Sequence, residues 1–520
     1  MVKPPNELRR TVVREGFWTF LTTFISRVGG LIFTIILARI LMPEGFGLYS
    51  LALSVSIVFI TLADAGINQT LLRYVAASIE KDHKRASAYF RYLLSLKIKL
   101  TLLVTTALLV SSYFLAYILF DKPAIFPLLV VLSAYTLITA IQGFFEPLFY
   151  TNNQVSKLAL KEIVFQCLKI VLVLAMIRVF FTHNPALGAT VGLLFASLGT
   201  LVVLLYFYNK IFHFTKDAKT TIDKKKVLTF VGFLTLSSLA GVLFSYMDTL
   251  IMGIFLSFEY LGYYKVAISL VIAIAGALSF PGVFLSVLTR ISKKNMQESF
   301  DKIIKTLLIF VIPATIGLIM LSRYFIVFLY GYEYLAAAPI LYILSPFIFL
   351  FVTVSIFLNV LAAKEKTRDF SLLTLGCTII NVILIVIVIK WLLPQSELAA
   401  TLGVASVTLT SWILYFIGGI IILRQRMNIR FKFKYMVKPL IASGVMAIVL
   451  HLFQSEYNDM TLYTGLIEVT IGAIVYFVIL LLMREVKIKD VLFLFSLLPQ
   501  YRIKYKTKMF LRNFLKINPS

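Results

Sequence analysis

Long apolar segments recur along this chain of 520 residues, from one end to the other. An apolar run of about 18 or more residues can cross the ~30 Å hydrocarbon layer of a membrane as a helix. Hydrophobic residues make up 60% of the chain and charged residues 14%, whereas roughly a quarter of a soluble domain is charged. The sequence therefore predicts an all-α integral membrane protein, because only helices or closed barrels satisfy their backbone polar groups in lipid.

We predict 14 transmembrane helices, of which the thirteenth is the shortest. The first is too long for the apolar core of a signal peptide and lacks a small-residue cleavage site, so we expect it to be retained. The predicted spans cover residues 16–40, 46–66, 90–118, 124–147, 155–179, 186–208, 228–256, 262–288, 303–321, 336–361, 370–393, 398–423, 437–453 and 462–483.

The positive charges are distributed unevenly between the two sides of this topology. Of the 50 lysines and arginines, we count 42 toward the side that holds both termini and six toward the opposite side, while two, Arg27 and Lys169, lie deep within spans. Short loops rich in Lys and Arg stay in the cytoplasm, so we expect both termini inside the cell, at a plasma or inner membrane. The net charge of +26 then indicates contact with anionic lipid headgroups and no nucleic-acid partner.

Two stretches of sequence, ILARILMPEGFGLYSLA at 36–52 and IMGIFLSFEYLGYYKVA at 251–267, are alike at an offset of about 215 residues. Six predicted spans separate them, and an even number preserves orientation. We therefore expect two parallel six-helix repeats around a central pathway, which rock to give alternating access. The matching positions are Ile36, Leu41, Glu44, Gly47, Tyr49 and Ala52 in the first copy, and Ile251, Leu256, Glu259, Gly262, Tyr264 and Ala267 in the second.

The repeat divides the chain into four parts. Residues 1–226 are predicted to form an N-terminal six-helix lobe with a cytoplasmic linker, and 227–436 a C-terminal six-helix lobe. Residues 437–483 add two transmembrane helices outside the repeat. The tail 484–520 mixes Lys and Arg with Phe, Leu and Ile, which is typical of an amphipathic helix on a membrane surface.

Two cations fall deep within predicted spans. Arg27 is about eleven residues from each end of the first span, hence ~16 Å from either interface. A charge at that depth costs ~3 kcal/mol or more unless it faces protein or water. We expect Arg27 to face a water-filled cavity, the alternative being an ion pair between helices. We expect the same of Lys169, the alternative being a pair with Glu162 in its own helix.

Further polar residues share helix faces within predicted spans. Glu162, Gln166 and Lys169 fall at i, i+4 and i+7 and form one stripe on the fifth span. A similar stripe on the eleventh span contains Thr374, Thr378 and Asn381. Asp248 in the seventh span is a candidate for coupling to protons or sodium, the alternative being a partner for Arg27.

Three charged residues near the cytoplasmic ends of spans, Asp64, Glu146 and Arg290, favour interfacial gating or loop structure over ligand binding. No Walker A loop, HExxH or GxGxxG occurs, so we expect no ATP site, no metal and no other cofactor. The predicted external connections are short, the longest covering about 322–336. We therefore expect a transporter rather than an enzyme.

Four stretches resemble the polysaccharide transporter family, the O-antigen type of flippase in the multidrug/oligosaccharidyl-lipid/polysaccharide exporter superfamily. They are ILARILMPEGFGLYSLA, FITLADAGINQTLLRYVA, YMDTLIMGIFLSFEYLGYYKVA and LYGYEYLAAAPILYIL. The resemblance covers nearly the whole chain and implies a V-shaped bundle of two lobes. It also implies movement of a polyprenyl-diphosphate-linked oligosaccharide from the cytoplasmic to the outer leaflet, coupled to a proton or sodium gradient or to the lipid's own gradient.

The resemblance gives the deep cations a role. Arg27 looks like the cavity arginines of related flippases, and a guanidinium suits a diphosphate because its planar fork bonds two oxygens at once. Lys169 is expected to share that site, with Asp248, Glu162, Gln166 and Asn381 lining the cavity or coupling it to an ion. A polysaccharide polymerase and glycosyltransferases of the same pathway are expected partners.

Three other readings stay open. A multidrug extruder of the same superfamily shares the twelve-helix core, but it typically lacks the two extra helices and a cationic centre. A peptidoglycan-precursor flippase shares both features. A membrane glycosyltransferase or polymerase would need an essential external carboxylate, for which the candidates are Glu44, Asp121, Glu259, Glu333, Glu397, Glu456 and Asp459.

Overall fold

A computed structural model describes residues 5–79, 82–212, 222–279, 296–362, 368–456 and 462–485. The regular secondary structure of these residues is entirely helical. The helices are α1 Pro5–Asp64, α2 Ile67–Ile79, α3 His83–Phe114, α4 Phe126–Thr151, α5 Val155–Ala175, α6 Pro185–Ile211, α7 Lys224–Phe255, α8 Phe258–Leu278, α9 Met296–Met320, α10 Ser322–Tyr330, α11 Ala337–Leu344, α12 Phe347–Ala362, α13 Arg368–Leu392, α14 Glu397–Met427, α15 Lys434–Glu456 and α16 Leu462–Leu482.

The count of membrane crossings agrees with the predicted 14. Thirteen helical segments in the described part of the chain are long and apolar enough to span a membrane. One of them, Arg14–Ser78, has 65 residues, which would make a straight helix of roughly 100 Å. It breaks at Met42, where φ is 58° and ψ is 172°, just before Pro43. This segment therefore crosses twice, as the predicted spans 16–40 and 46–66.

The side chains at the ends of α1 show that its two limbs run back to the same end of the bundle. Glu15, close to its start, accepts a hydrogen bond from the Val155 backbone NH at 3.1 Å. Asp64, its last residue, accepts one from Lys97 of α3 at 3.1 Å. We call this end, where α4 and α5 also meet, the near end. The opposite end, which holds Met42 and the 120–122 linker, is the far end.

Two apolar clusters hold the lobes together. The first joins far-end residues of both lobes, including Leu37 of α1, Met252 of α7 and Leu261 of α8, and extends through the C-terminal lobe to its near end. The second lies at the near end within the N-terminal lobe, around Leu71 and Phe144, and it also includes Val227 and Val231 of α7. Helix α7 therefore packs its first half against the N-terminal lobe, and its second half contacts both lobes.

The last two helices lie outside the two-lobed core. Helices α15 and α16 contact each other and pack on α9 through a small apolar cluster that contains Ile309, Met446 and Tyr476. The Tyr476 hydroxyl donates to the Ile309 carbonyl at 2.6 Å. The predicted amphipathic tail lies outside the described residues from 486 onward.

Candidate functional site

Arg27 lies in the first limb of α1, fifteen residues before the break at Met42. Its side chain is exposed, and it runs past the Cα of Gly276 in α8: a Cβ added there would lie 3.2 Å from Arg27 Cδ and Nε. Within the described part of the chain, the guanidinium makes no hydrogen bond or ion pair. Arg27 therefore presents a cation without an anionic partner among the described residues, beside α8 of the second repeat.

Small residues leave room along α1 and α7. A Cβ added to Gly30 of α1 or to Gly241 of α7 would have nothing within 4 Å. Ser26 and Ser245, one turn from these glycines, are exposed. Span 1 is thus open along its near half, whereas Leu37, Ala38 and Leu41 in its far half are buried. The first limb of α1 is therefore exposed around Arg27 and buried toward the far end.

Lys169 of α5 is buried between aromatic rings. Its ammonium lies 4.4 Å from the ring centroid of Phe33 in α1 and 5.2 Å from that of Phe165 in its own helix. Its side chain is 7% exposed, and it forms no ion pair with Glu162 among the described residues. Both the exposed placement and the Glu162 pair expected from the sequence are therefore replaced by two cation–π contacts.

The polar stripe on α5 continues from Lys169 toward the near end. Gln166 donates from Nε2 to Glu162 Oε1 at 2.7 Å, and both side chains are buried. Gln166 also packs directly on Gly29, where an added Cβ would lie 2.7 Å from its Cγ. The Oε1 atom of Gln166 is buried and has no hydrogen-bond partner among the described residues. The stripe thus forms part of the contact between α1 and α5.

A cavity of about 310 Å³ lies inside the N-terminal lobe at the near end. Two ion pairs line it. Lys97 donates to Asp64 at 3.1 Å, and Lys161 donates to Glu146 at 2.9 Å. Lys161 also lies 3.7 Å from Glu162, which connects the cavity wall to the α5 stripe. The predicted interfacial residues Asp64 and Glu146 are therefore brought together in one polar chamber.

Asp248 is buried in the C-terminal lobe and is fully engaged. One carboxylate oxygen accepts from the Thr249 backbone NH at 2.6 Å and from its hydroxyl at 3.1 Å. The other accepts a short hydrogen bond from the Tyr264 hydroxyl. Lys265 donates to the Thr249 hydroxyl at 3.0 Å. Asp248 does not contact Arg27, so the pair considered from the sequence does not form.

The second predicted stripe lies at the contact between α13 and its neighbours. Asn381 donates to the Ser411 hydroxyl of α14 at 3.0 Å and is 2% exposed. Thr374 shares a 2.9 Å hydrogen bond with Tyr415, and Thr378 reaches the Ala240 carbonyl of α7 at 3.4 Å. This stripe joins helices within the C-terminal lobe, and Arg27 is not among its contacts.

Sequence reasoning missed two residues of the polar chamber. It counted Lys97 and Lys161 as cytoplasmic surface charge, but they are only 1% and 8% exposed. The length of α3 is the feature that could have indicated the burial of Lys97, because Lys97 lies fourteen residues after His83, well inside the helix. Arg290 lies outside the described residues. In the described part of the chain, no group of three His, Cys, Asp or Glu residues is arranged to hold a metal ion.

The sequence matches a known protein family and is similar to known proteins. Residues 12–285, more than half of the chain, match the family described as "Polysaccharide biosynthesis protein". The chain is 26% identical over 186 residues to "Stage V sporulation protein B" of Bacillus subtilis (strain 168), a match that covers 35% of this chain and only 36% of that protein. It is 24% identical over 349 residues to an "Uncharacterized membrane protein in cps region" of Klebsiella pneumoniae, which covers 65% of this chain and 68% of that protein.

Two solved structures share the fold. "Lipid II flippase MurJ, inward closed conformation" has a TM-score of 0.72 and 18% identity, and the match covers 89% of this chain and 98% of that chain. An inward-facing multidrug resistance MATE family transporter of the MOP superfamily has a TM-score of 0.61 and 16% identity, over 81% and 98% of the two chains. At these identities the likeness establishes the two-lobed fold.

Proposed function

Because this chain belongs to the polysaccharide biosynthesis protein family, a family of multi-pass membrane transporters of the MOP type, we propose that it flips a polyprenyl-diphosphate-linked oligosaccharide. In this proposal the lipid enters from the cytoplasmic leaflet and leaves in the outer leaflet. The saccharide and diphosphate pass between the lobes, while the polyprenyl tail stays in lipid. The chain carries its substrate across the membrane without changing it chemically, so we propose a transporter and not an enzyme.

The free guanidinium of Arg27 carries this proposal. A buried or mid-membrane arginine is costly and normally finds an anionic partner in the protein. Arg27 has no such partner among the described residues, and its neighbours along α1, Ser26 and Gly30, leave that side of the helix open. A diphosphate is the anion that best fits a planar guanidinium, which bonds two of its oxygens side by side. The open space beside Arg27 suits a sugar.

Lys169 adds positive charge that favours the same anionic substrate at longer range. Its charge is shielded from direct contact by Phe33 and Phe165, yet no carboxylate pairs with it in the described part of the chain. The positive potential therefore extends from Arg27 into the N-terminal lobe. A multidrug extruder that binds organic cations would be disfavoured by two such charges, since like charges repel strongly at low dielectric.

Transport against a concentration difference needs an energy source, and we propose a proton or sodium gradient. Asp248 is the residue that we assign to this coupling, because it is the buried acid of the C-terminal lobe that faces α8 and α14 through Tyr264 and Thr408. Protonation of Asp248 would remove the charge that Thr249 and Tyr264 now stabilise, and this would loosen the contact between α7 and α8.

The orientation of the protein completes the proposal. We propose that the near end faces the cytoplasm and the far end faces outward, with both termini inside, at a plasma or inner membrane. The cluster of Lys and Arg at the near end would then contact anionic headgroups. Enzymes that assemble and polymerise the saccharide would act before and after the flippase, as partners in the same pathway.

The test is a flipping assay. The protein would be reconstituted in liposomes that carry a fluorescent polyprenyl-diphosphate oligosaccharide, and its transfer between leaflets would be followed for the wild type, Arg27→Ala and Arg27→Lys. We expect Arg27→Ala to lose transfer and Arg27→Lys to retain part of it, because lysine keeps the charge but not the two-pronged geometry. Arg178→Ala is the matched control, since Arg178 is an exposed arginine at the end of the fifth span.

Other outcomes identify the alternatives. Equal transfer by the wild type and a folded Arg27→Ala variant would contradict the assigned role of Arg27. Absence of lipid transfer, together with export of a cationic dye under an ion gradient, would indicate a drug extruder. Preference for a diphosphate-linked muropeptide over other saccharides would indicate a peptidoglycan-precursor flippase. Extension or cleavage of the saccharide would indicate an enzyme, whose activity should then depend on external carboxylates.

A further inference from the structure

The two copies of the sequence repeat meet each other at the far end. A Cβ added to Gly47 would lie 1.8 Å from the carbonyl oxygen of Phe258 and 2.9 Å from the Gly262 nitrogen. A Cβ added to Gly262 would lie 2.1 Å from the carbonyl oxygen of Pro43. Real Cβ atoms do not approach other atoms so closely, so both positions require glycine.

This contact is reciprocal. Gly47 and Gly262 are equivalent positions of the repeat, and so are Pro43 and Phe258, because each pair is separated by the same 215 residues. Gly47 packs on the Phe258 carbonyl, and Gly262 packs on the equivalent carbonyl, that of Pro43. The backbones of the second limb of α1 and of α8 therefore touch across a local two-fold axis. This is a contact between the lobes, since α1 belongs to the first repeat and α8 to the second.

Two cations of the N-terminal lobe reach across to the C-terminal lobe beside this contact. Arg39 donates from Nε to the Leu329 carbonyl at 2.7 Å and also donates to the Phe328 carbonyl. Lys122 donates to the Gly253 carbonyl at 2.7 Å and also to the Leu256 carbonyl. Carbonyls in the last turn of a helix lack partners within the helix and carry its negative dipole end. These four belong to the ends of α10 and α7.

We propose that the Gly47–Gly262 contact is the outer gate of the transporter, and that Arg39 and Lys122 are cation latches that hold it shut. The inference rests on the proposed function, which places the far end outside. Alternating access then requires the two backbones to separate at the glycines. The latches suit such a cycle, because water can replace each cation at the helix ends once the gate opens.

An outer gate of this kind explains why both copies of the repeat carry the glycine. A glycine on one helix alone would let a backbone approach a partner side chain, whereas a glycine at both equivalent positions lets two backbones meet. A side chain at either position must push the lobes apart at the far end. The near end is where those lobes would then close, so substitution of either glycine should favour the outward-open state.

The test measures the distance between spin labels at the far end of the two lobes. Labels on Phe180→Cys, in the N-terminal lobe, and Trp391→Cys, in the C-terminal lobe, would report it by double electron–electron resonance in lipid nanodiscs. Both wild-type side chains are strongly exposed, and the native Cys167 and Cys377 would be replaced by serine. We expect Gly47→Ala and Gly262→Ala to shift the major population to a longer distance than in the parent.

Gly376→Ala, in α13, is the matched control, because an added Cβ there meets nothing within 4 Å among the described residues. It should keep the parent distance. Lys122→Met and Arg39→Met remove the latches without adding bulk near the glycines, so they test the gate even if an alanine variant fails to fold. We expect these two variants to show a partial shift in the same direction.

Parent-like distances in folded Gly47→Ala and Gly262→Ala proteins would overturn the gate, as would an equal shift in Gly376→Ala. The measurement uses no lipid-linked substrate. If the distances shift as expected but the flipping assay detects no transfer, the proposed substrate is wrong and the gate stands. If transfer depends on Arg27 but the distances do not shift, the gate is wrong and the proposed function stands.

Discussion

The ammonium of Lys97 lies 3.1 Å from a carboxylate oxygen of Asp64, and the two side chains differ sharply in burial. Lys97 is 1% exposed, whereas Asp64 is 25% exposed toward the chamber. Removing one partner of a buried ion pair leaves the other uncompensated, and the more buried charge is the costlier one to strand. The two single substitutions should therefore have unequal effects.

We predict that Asp64→Asn lowers the free energy of unfolding by ~3 kcal/mol or more, because it strands the ammonium of Lys97. Lys97→Met should lower it by only about 1–2 kcal/mol, because water in the chamber can solvate Asp64. Thermal unfolding in detergent, with the double variant to complete a mutant cycle, checks the order. A larger loss from Lys97→Met would show that the chamber is dry.

A second prediction concerns the aromatic rings around Lys169. Phe33→Leu removes the nearer ring and should destabilise the charged lysine by about 1–2 kcal/mol, the range of a desolvated cation–π contact. Lys169→Met keeps the volume and removes the charge, so it should abolish the sensitivity to Phe33→Leu in a double-mutant cycle. An unchanged effect of Phe33→Leu in the Lys169→Met background would mean that the ring acts through packing alone.

A third prediction concerns coupling through Asp248. Asp248→Asn should preserve slow equilibration of the lipid between leaflets but remove its acceleration by an imposed proton or sodium gradient, because the titrating charge is gone. Tyr264→Phe is the control, since it deletes one hydrogen bond to the carboxylate and keeps the acid. We expect Tyr264→Phe to retain the acceleration, because the carboxyl group is still present. The flipping assay with and without each gradient separates these outcomes.

Much of the architecture was predictable because it depends on patterns along the chain. Runs of apolar residues gave 14 crossings, and the 36–52 and 251–267 stretches indicated two repeats before any contact was known. The sequence could not show why Gly47 and Gly262 recur, because the answer is a contact between residues 215 positions apart. Both positions must be glycine because the two backbones meet there.

The depth and partners of charged side chains were less predictable. Counting residues from a helix end places Arg27 at mid-membrane. The space for its side chain, however, depends on Gly276 in the other lobe, which the count could not show. Lys97 was counted on the cytoplasmic side, but α3 extends well beyond the length needed to cross a membrane, and Lys97 lies in its buried part. Which part of a long helix lies in the bundle interior is decided by its neighbours, here by Asp64 at the end of α1.

The last prediction concerns the near-end attachment of the two additional helices. Glu485, just after α16, accepts from Lys305 of α9 at 2.9 Å and from Lys438 of α15 at 2.7 Å. Partial burial acts to raise the pKa of Glu485, but the two lysines outweigh it and hold the pKa below its ordinary value of 4.5. A carboxyl group with a lowered pKa in the folded state contributes stability that is present above its unfolded pKa and lost as the pH falls through the folded one.

We therefore expect the attachment of α15 and α16 to weaken as the pH falls below about 4.5, and to be insensitive to pH between 6 and 8. Limited proteolysis at the α14–α15 connection with an acid-tolerant protease would follow this loosening as a function of pH. Glu485→Gln is the matched control: it cannot ionise, so it should be cleaved faster at neutral pH and should lose the pH dependence in this acidic range. An acid-induced increase of the same size in Glu485→Gln would assign the loosening to another group.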